Sequence, residues 1–335
     1  MNESDIKELA VNGIFENKPL KGNVVETHIS WVILTRKYAF KIKKPLKLSF
    51  LDFSTLKLRK KYCEIEQTLN SRFSDIYLSV LPLHLQNKEW TIGVSDGKLV
   101  DYAVVMKRMA STKRMDNLLL KNEVDSALIQ ALASKIVSFH KTAKKIFIPF
   151  DPSVSRHTFN DINVNRDFVL KELGHSFVDI IDQSILWSND FLEVHAYRIQ
   201  QRIEQGFKRD VHGDLHSGNI FLYKTPVLFD CIEFNDAFRQ IDIMNEIAFL
   251  CMDLDAFQQK QLAEDFLSAY KSKIACFEVE EDENLFIYFK CLRANIRAKV
   301  HTLSAVNAHT NKEKIAHLAE TQKYLSLMKA YMSRL

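Results

Sequence analysis

Apolar positions recur along this chain with two different periods, and the change from one to the other divides it. Over residues 24–34 and 38–43 apolar and polar residues alternate, which predicts two strands joined by a tight turn at Thr35-Arg36-Lys37. Alternation puts Ala39, Lys41 and Lys43 on one face of the second strand and Tyr38, Phe40 and Ile42 on the other. Further strands are predicted near 77–85, 89–94 and 99–106, the last running into Lys107-Arg108-Met109. Two helices belong to the same half. One covers residues 4–12 and stops at Asn12-Gly13; the other covers 55–73, with Ser54 as its cap. In the second, Leu58, Tyr62, Ile65, Leu69 and Phe73 recur at helical spacing and predict the buried stripe, with Glu66 at its edge.

Beyond Met109 the period is helical. Asp125 or Ser126 can cap a helix reaching His140, and residues 191–207 predict another that ends in Lys208-Arg209. Ile243, Ile247, Leu250 and Leu254 mark a further helix. Leu285, Phe289, Leu292, Ile296, Val300 and Leu303 mark a long one, and residues 312–335 a closing one. A hairpin interrupts this series, with strands at 220–223 and 227–229 around Lys224-Thr225-Pro226. The expected architecture is α+β and bilobal: a small β-rich lobe over 1–106, a hinge at 107–109, and a larger, mainly helical lobe over 110–335.

Composition narrows the class. With 47% hydrophobic and 26% charged residues the chain is globular, and 8 Gly and 6 Pro argue against a flexible linker. A net charge of +4 fits handling of a small polyanion such as a nucleotide; no nucleic-acid-binding motif accompanies it, so no nucleic-acid partner is expected. Five cysteines without a CxxC pair point away from a disulfide scaffold and toward a reducing compartment. The start has no signal-peptide pattern, and no apolar run approaches the ~20 residues of a membrane helix, so a cytoplasmic protein with no membrane partner is expected.

The chemistry is densest in residues 211–236, VHGDLHSGNIFLYKTPVLFDCIEFND. A hairpin centred between Lys224 and Thr225 makes Asn219 and Asp230 face each other at its open end. A carboxamide oxygen and a carboxylate there can share one hard cation, and Mg2+ suits such ligands. Asp214, five residues before Asn219, is placed for a base that accepts a hydroxyl proton. His212 is expected to support the loop, and Gly213 to let it bend. His212-x-Asp214-x-His216 could instead offer zinc ligands, but that reading needs further ligands the chain does not supply at a convincing spacing.

HGDLHSGNIFL followed by VLFDCIEFND resembles the motif of aminoglycoside phosphotransferases and their kinase-like relatives. The resemblance implies a protein-kinase-like fold, ATP or GTP as donor, Asp214 as the catalytic base, and Asn219 and Asp230 as Mg2+ ligands. The segments ETHISWVILTRKYAFKIKKP, FLDFSTL, CEIEQTLN and IEFNDAFRQIDIMNEIAFLCMDL are similar to a bacterial subgroup of that superfamily in which the domain often precedes a P-loop ATPase domain. This chain has no GxxxxGKS or GxxxxGKT motif, so that second domain is not expected within it, and the resemblance implies a P-loop ATPase as a candidate partner.

The resemblance also implies a strand lysine on the nucleotide α- and β-phosphates, paired with a helix glutamate. Lys41, sharing a face with Ala39 near the adenine, and Glu66 fit these roles; Lys43 and Glu64 keep both assignments open, and a solvated lysine-rich edge strand is the plainer alternative. Residues 106–109, Met106 and Arg108 among them, fall at the hinge where backbone groups meet adenine. There is no GxGxxG loop, and residues 27–30 would have to take its part. Asp242 is expected to brace the active-site loop, with Glu233 in support; Glu246 stands at a structural position. Arg293 and Arg297, four apart on one helix face, and Arg239 are candidates for contacting an anionic acceptor or for bracing the acidic loop. The expected function is Mg2+-dependent transfer of the nucleotide γ-phosphate to a hydroxyl of an unidentified, small-molecule acceptor. A nucleotide-binding regulatory pseudokinase and a kinase acting on protein are the alternatives.

Overall fold

In the computed structural model, which describes residues 1–48 and 51–335, the chain begins with α1 (Glu3–Asn12), capped by Asn2 and Asp5 in a reciprocal box. Short strands β1 (Ile14–Phe15) and β2 (Lys18–Pro19) precede β3 (Asn23–Glu26), β4 (Ser30–Leu34) and β5 (Tyr38–Lys43). The single strand expected over 24–34 is therefore two. The chain reverses at residues 27–29, where Thr27 Oγ1 donates to Ser30 O and accepts from Ser30 N–H, both at 3.0 Å. A ribbon of β6 (Lys47–Leu48) and β7 (Leu51–Asp52) leads to α2 (Leu56–Asn70). Thr55, not Ser54, caps α2, because the Ser54 hydroxyl turns back to Asp52 at 2.6 Å. Next come β8 (Tyr77–Gln86), β9 (Glu89–Ile92) and β10 (Lys98–Lys107), which complete an eight-stranded sheet in the order β2-β1-β9-β8-β10-β5-β4-β3.

Helices follow: α3 (Met115–Leu119), α4 (Ser126–Thr142), α5 (Pro152–Asn160), α6 (Arg166–Leu173), α7 (His175–Val194) and α8 (Ala196–Glu204). Then come β11 (Lys208–Asp210), the hairpin β12 (Ile220–Phe221) and β13 (Val227–Leu228), α9 (Asp236–Arg239) and β14 (Gln240–Asp242). The chain closes with α10 (Ile243–Ala256), α11 (Lys260–Lys271), α12 (Glu281–Val306) and α13 (Asn311–Met332). Two units emerge: residues 1–117 with 219–239, and residues 118–218 with 240–335. The fold is α+β, strand-rich in the first unit and mainly helical in the second. Against an expected division at 106–110, the first stretch runs on to residue 117, and the hairpin groups with it.

In the first unit the alternation of β5 has the predicted consequence. Phe40 and Ile42 enter a core with Ile6, Leu9, Trp31 and Ile33, while Ala39 packs on the other face with Cys63, Tyr77, Val104 and Met106. Burying each large apolar side chain contributes about 1.5–3 kcal/mol. The helix α2 departs from expectation. Its buried stripe is Arg59, Cys63, Glu66 and Asn70, and Leu58, Tyr62, Ile65 and Leu69 are only half-buried. A polar stripe is tolerated inside because each polar group finds a partner. Arg59 Nε reaches both Asp101 oxygens at 2.9 and 3.0 Å, and Asn70 Nδ2 donates to Glu66 O at 2.9 Å.

In the second unit α10 is apolar nearly all round and buried along almost its whole length. The helix expected over 191–207 is the end of α7 plus the separate α8. Arg198 and Arg202, one turn apart on α8, each bind Asp282, and Arg202 also binds Asp242; α8 follows those carboxylates and not the axis of α7. On α12, Leu285 and Phe289 are buried as expected. Leu292, Ile296 and Val300 are half-buried and Leu303 is exposed, because the inward face carries Arg293, Ala294, Asn295, Ala298 and Thr302. Among the described residues, no helix is long and apolar enough to cross a membrane.

Candidate active site

The first unit gathers a charged group on the α2 face of its sheet. Lys41 and Lys43 point the same way because β-strand side chains two apart share a face. Glu66 receives both: Lys41 Nζ lies 2.8 Å from Oε1 and Lys43 Nζ 2.7 Å from Oε2. Lys41 also reaches Asp230 Oδ1 at 2.5 Å, and Lys43 also pairs with Glu233. Lys43 and Glu66 have no exposed surface. Burial opposes the charge on Glu66, but Lys41 and Lys43 outweigh it and hold its carboxyl down at about 2. Burial likewise opposes the Lys41 ammonium, and Asp230, then Glu66, raise its pKa well above the ordinary value. For Glu233 burial dominates over Lys43, and its pKa is raised. Two ammonium groups thus meet three carboxylates, one negative charge in excess.

The hairpin departs from its expected register. Ile220 pairs with Leu228 and Phe221 with Val227, so the hairpin is centred on Lys224, and Phe229 N–H donates to Asn219 O at 3.1 Å. Asp230 is one residue past the position opposite Asn219, not facing it. Its backbone is left-handed (φ 64°), a conformation Asp adopts more readily than bulkier residues. Tyr77 OH accepts its N–H at 3.0 Å, and Asn70 Oδ1 accepts the next N–H, from Cys231, at 2.9 Å. The turn aims the Asp230 carboxylate at Lys41. Asn219 and Asp230 offer a carboxamide oxygen and a carboxylate beside a group with surplus negative charge, a donor chemistry that fits a hard divalent cation keeping phosphate or water oxygens as its other ligands.

In the second unit the loop carrying Asp214 is held by its own backbone groups. Glu246 Oε1 accepts from His212 N–H at 2.7 Å and Gly213 N–H at 3.1 Å, while its Oε2 meets His140 Nε2 at 2.7 Å. His140 Nδ1 in turn meets the Tyr270 hydroxyl at 2.7 Å. Gly213 has φ 85°, so a residue with a side chain would be strained there. Its carbonyl accepts from Arg293 Nη1 at 3.0 Å, and Arg293 Nε donates to Asn245 Oδ1 at 2.7 Å. Ser217 N–H donates to Asp253 Oδ2 at 2.8 Å. The Asp214 side chain is part-exposed; its N–H donates to His212 Nδ1 at 3.3 Å, and Oδ2 lies 3.4 Å from His216 Nε2. Burial works against its charge, yet His216 and then Arg297 hold the carboxyl well below the usual range.

The other candidates fall as follows. Met106 pairs with Ala39 across β10 and β5. Arg108 N–H is taken by Lys37 O at 2.8 Å, so that backbone donor is engaged just beyond the paired ends of β10 and β5. Arg239 is buried; it donates to Ile232 O at 2.9 Å and to Asp236 at 2.7 Å, bracing the turn after Asp230. Asp242 accepts from Met244 N–H as the cap of α10 and binds Arg202 through both oxygens. It stands on β14, paired with β11 just before the Asp214 loop. Arg293 is spent on the loop backbone, and burial lowers its pKa to about 10 in spite of Asp214 and Glu246. Arg297 donates to His301 at 3.1 Å. Among the described residues, no three His, Cys, Asp or Glu side chains group as a metal site. Sequence reasoning passed over Tyr77, Asn70, Asn245 and Asp253, which hold the two loops; an aromatic or amide at a strand or helix end carries no signal of a partner so far away in the chain.

No family model matches the chain. It is 29% identical over 284 residues, 83% of its length, to an uncharacterized protein of Mycobacterium tuberculosis, and equally to one of Mycobacterium bovis. The chain spans about half the length (54%) of these curated relatives. Among solved structures, a choline kinase from Cryptosporidium parvum is similar with a TM-score of 0.55 and 10% identity, covering 99% of this chain and 97% of that one. A GDP complex of an aminoglycoside 2'-phosphotransferase is similar with a TM-score of 0.51 and 10% identity, covering 93% and 91%. The α+β fold is thus kinase-like, of the type that choline kinases and aminoglycoside phosphotransferases share.

Proposed function

We propose that the protein is a Mg2+-dependent phosphotransferase that moves the γ-phosphate of ATP or GTP to a hydroxyl of a small molecule. The observation that carries the reading is the meeting of Lys41 with both Glu66 and Asp230. Lys41 would bind the α- and β-phosphates. Glu66 stays in place when Lys41 does so, because Lys43 holds its other oxygen. Asn219 and Asp230 are the residues that would hold Mg2+, whose contribution when bound is to neutralise charge on the phosphate oxygens. Ala39 and Met106 would flank the adenine, with the backbone at Arg108 beside them, and the turn at residues 27–30 would cover the phosphates.

Asp214, ionised at neutral pH, would take the proton of the attacking hydroxyl, which typically contributes ~10²–10⁴-fold. Only residues 215–218 separate it in sequence from Asn219. The fold shared with a GDP-bound phosphotransferase and with a choline kinase supports a nucleotide donor and a small acceptor over a protein one. The five free, buried cysteines accord with a reducing cytoplasm. A P-loop ATPase partner rests on the resemblance alone, and co-purification tests it.

A second reading, a nucleotide-binding regulator without turnover, is favoured by one observation. His28 and Ile29 fill the β3–β4 turn where glycines would let backbone reach phosphate. One experiment separates the two. The protein is incubated with Mg2+, ATP or GTP and a metabolite extract, and products are sought by mass. A phosphate-sized gain on one metabolite, absent with Asp214→Asn, supports transfer; nucleotide binding with no product from any acceptor supports the regulator.

A further inference from the structure

Buried arginines of the second unit spend their donors on carboxylates or backbone carbonyls. Arg198 binds Asp282, Arg202 binds Asp242 and Asp282, Arg209 binds Gly206 O, and Arg293 binds Gly213 O. Arg297 on α12 differs. Its Nη2 donates to a neutral ring nitrogen, His301 Nε2, at 3.1 Å, and its guanidinium lies 5.5 Å from the centre of the Tyr324 ring. Its Nε is buried with no partner among the described residues. Among the described residues, no carboxylate forms an ion pair with it. Burial opposes its charge; Tyr324, which also hydrogen-bonds it, then Asp253 and Asp214 favour that charge, and Asp253 Oδ2 already accepts Ser217 N–H. A sheltered charge without a counter-ion is costly, and a ligand can supply the missing one.

The neighbours of Arg297 extend its donor character. A guanidinium only donates, so His301 Nε2 accepts, and the neutral ring then carries its proton on Nδ1. That proton goes to His317 Nδ1 on α13 at 3.2 Å, which leaves His317 with its N–H on Nε2. Tyr324 stacks on His301 (5.6 Å, 15°) and fixes the ring. The relay from Arg297 to His317 therefore offers one positive charge and spare N–H donors, but no spare acceptor, on half-buried side chains. Arg293, one turn before Arg297 on α12, holds the carbonyl of Gly213 next to Asp214, and Arg297 is among the groups that favour the Asp214 carboxylate.

We propose that Arg297, extended by His301 and His317, binds an anionic group of the acceptor, a carboxylate or phosphate, while the acceptor's hydroxyl faces Asp214. The substrate class is a hydroxy acid or a phosphorylated alcohol, opposite in charge to the choline named for a structurally similar kinase. This rests on the phosphotransferase reading above.

The test follows the Arg297 Nε–H signal by NMR in the whole chain, assigned by its loss in Arg297→Lys, during titration with inorganic phosphate, acetate or choline. Saturable shifts with phosphate or acetate and none with choline support the proposal; stronger response to phosphate marks a phosphorylated alcohol, and to acetate a hydroxycarboxylate. Arg297→Gln weakens phosphate binding at least about tenfold. His317→Ala, at a half-exposed position, weakens it less and serves if the arginine variant misfolds. A response to choline alone, or phosphate binding that is unchanged in both variants, overturns the proposal. Phosphate binding at Arg297 in a protein that transfers no phosphoryl group would keep the anion site and remove the phosphotransferase reading. Transfer to amino alcohols without any anion response would do the reverse.

Discussion

Lys41 and Asp230, 189 residues apart in sequence, meet at 2.5 Å. That contact ties the strand β5 to the turn after the hairpin, and it sets what each residue of the charged group should do when altered.

Lys41→Met should leave the fold intact, because Lys43 still satisfies Glu66. It should lower nucleotide-dependent turnover by about 10²–10³-fold, the usual effect of removing one donor to developing phosphate charge. Steady-state kinetics against nucleotide concentration checks this.

Lys43→Met should act on stability. Lys43 is fully buried and pairs with both Glu66 and Glu233, so its loss strands the buried Glu233 carboxylate and leaves Glu66 to Lys41 alone. Breaking such a pair typically costs about 3–5 kcal/mol. Urea unfolding should show a much larger loss for Lys43→Met than for Lys41→Met; equal losses would mean that the two lysines are interchangeable.

Acid should weaken the fold through Glu66. Its folded pKa of about 2 lies below the ordinary 4.5, so between these values the unfolded chain binds more protons. The stability it contributes is complete above pH 4.5 and is lost as the pH falls toward 2. The difference in unfolding midpoint between the native protein and Glu66→Gln should be constant near neutrality and narrow below 4.5. A difference independent of pH would contradict the ion-pair account.

Arg293→Ala should slow turnover by about tenfold or more without changing nucleotide affinity. It removes the donor that holds Gly213 O, one residue before Asp214, and a lost charge-assisted hydrogen bond costs roughly 1.5–3 kcal/mol. Nucleotide binding by calorimetry beside turnover separates the two effects.

These residues also show how far the sequence could be read. The faces of β5 were legible because a period of two leaves Phe40 and Ile42 apolar on one side and Lys41 and Lys43 charged on the other. The orientation of α2 was not. Arg59 and Asn70 are buried by virtue of Asp101 and Cys231, which are 42 and 161 residues away, and a local pattern records only the half-buried apolar stripe. The hairpin was legible but its register was not, because a centre on Lys224 and one between Lys224 and Thr225 leave the same apolar residues in the strands, and only the pairing of Ile220 with Leu228 tells them apart. Likewise Arg293 and Arg297 looked equivalent on a helix face, and only their partners, Gly213 O and His301, tell them apart.

The most direct measurement is turnover of the Asp214→Asn protein with Mg2+, nucleotide and a phosphorylatable metabolite, alongside its nucleotide affinity. The account predicts unchanged affinity and a rate lower by ~10²–10⁴-fold. Full turnover in the variant would contradict it.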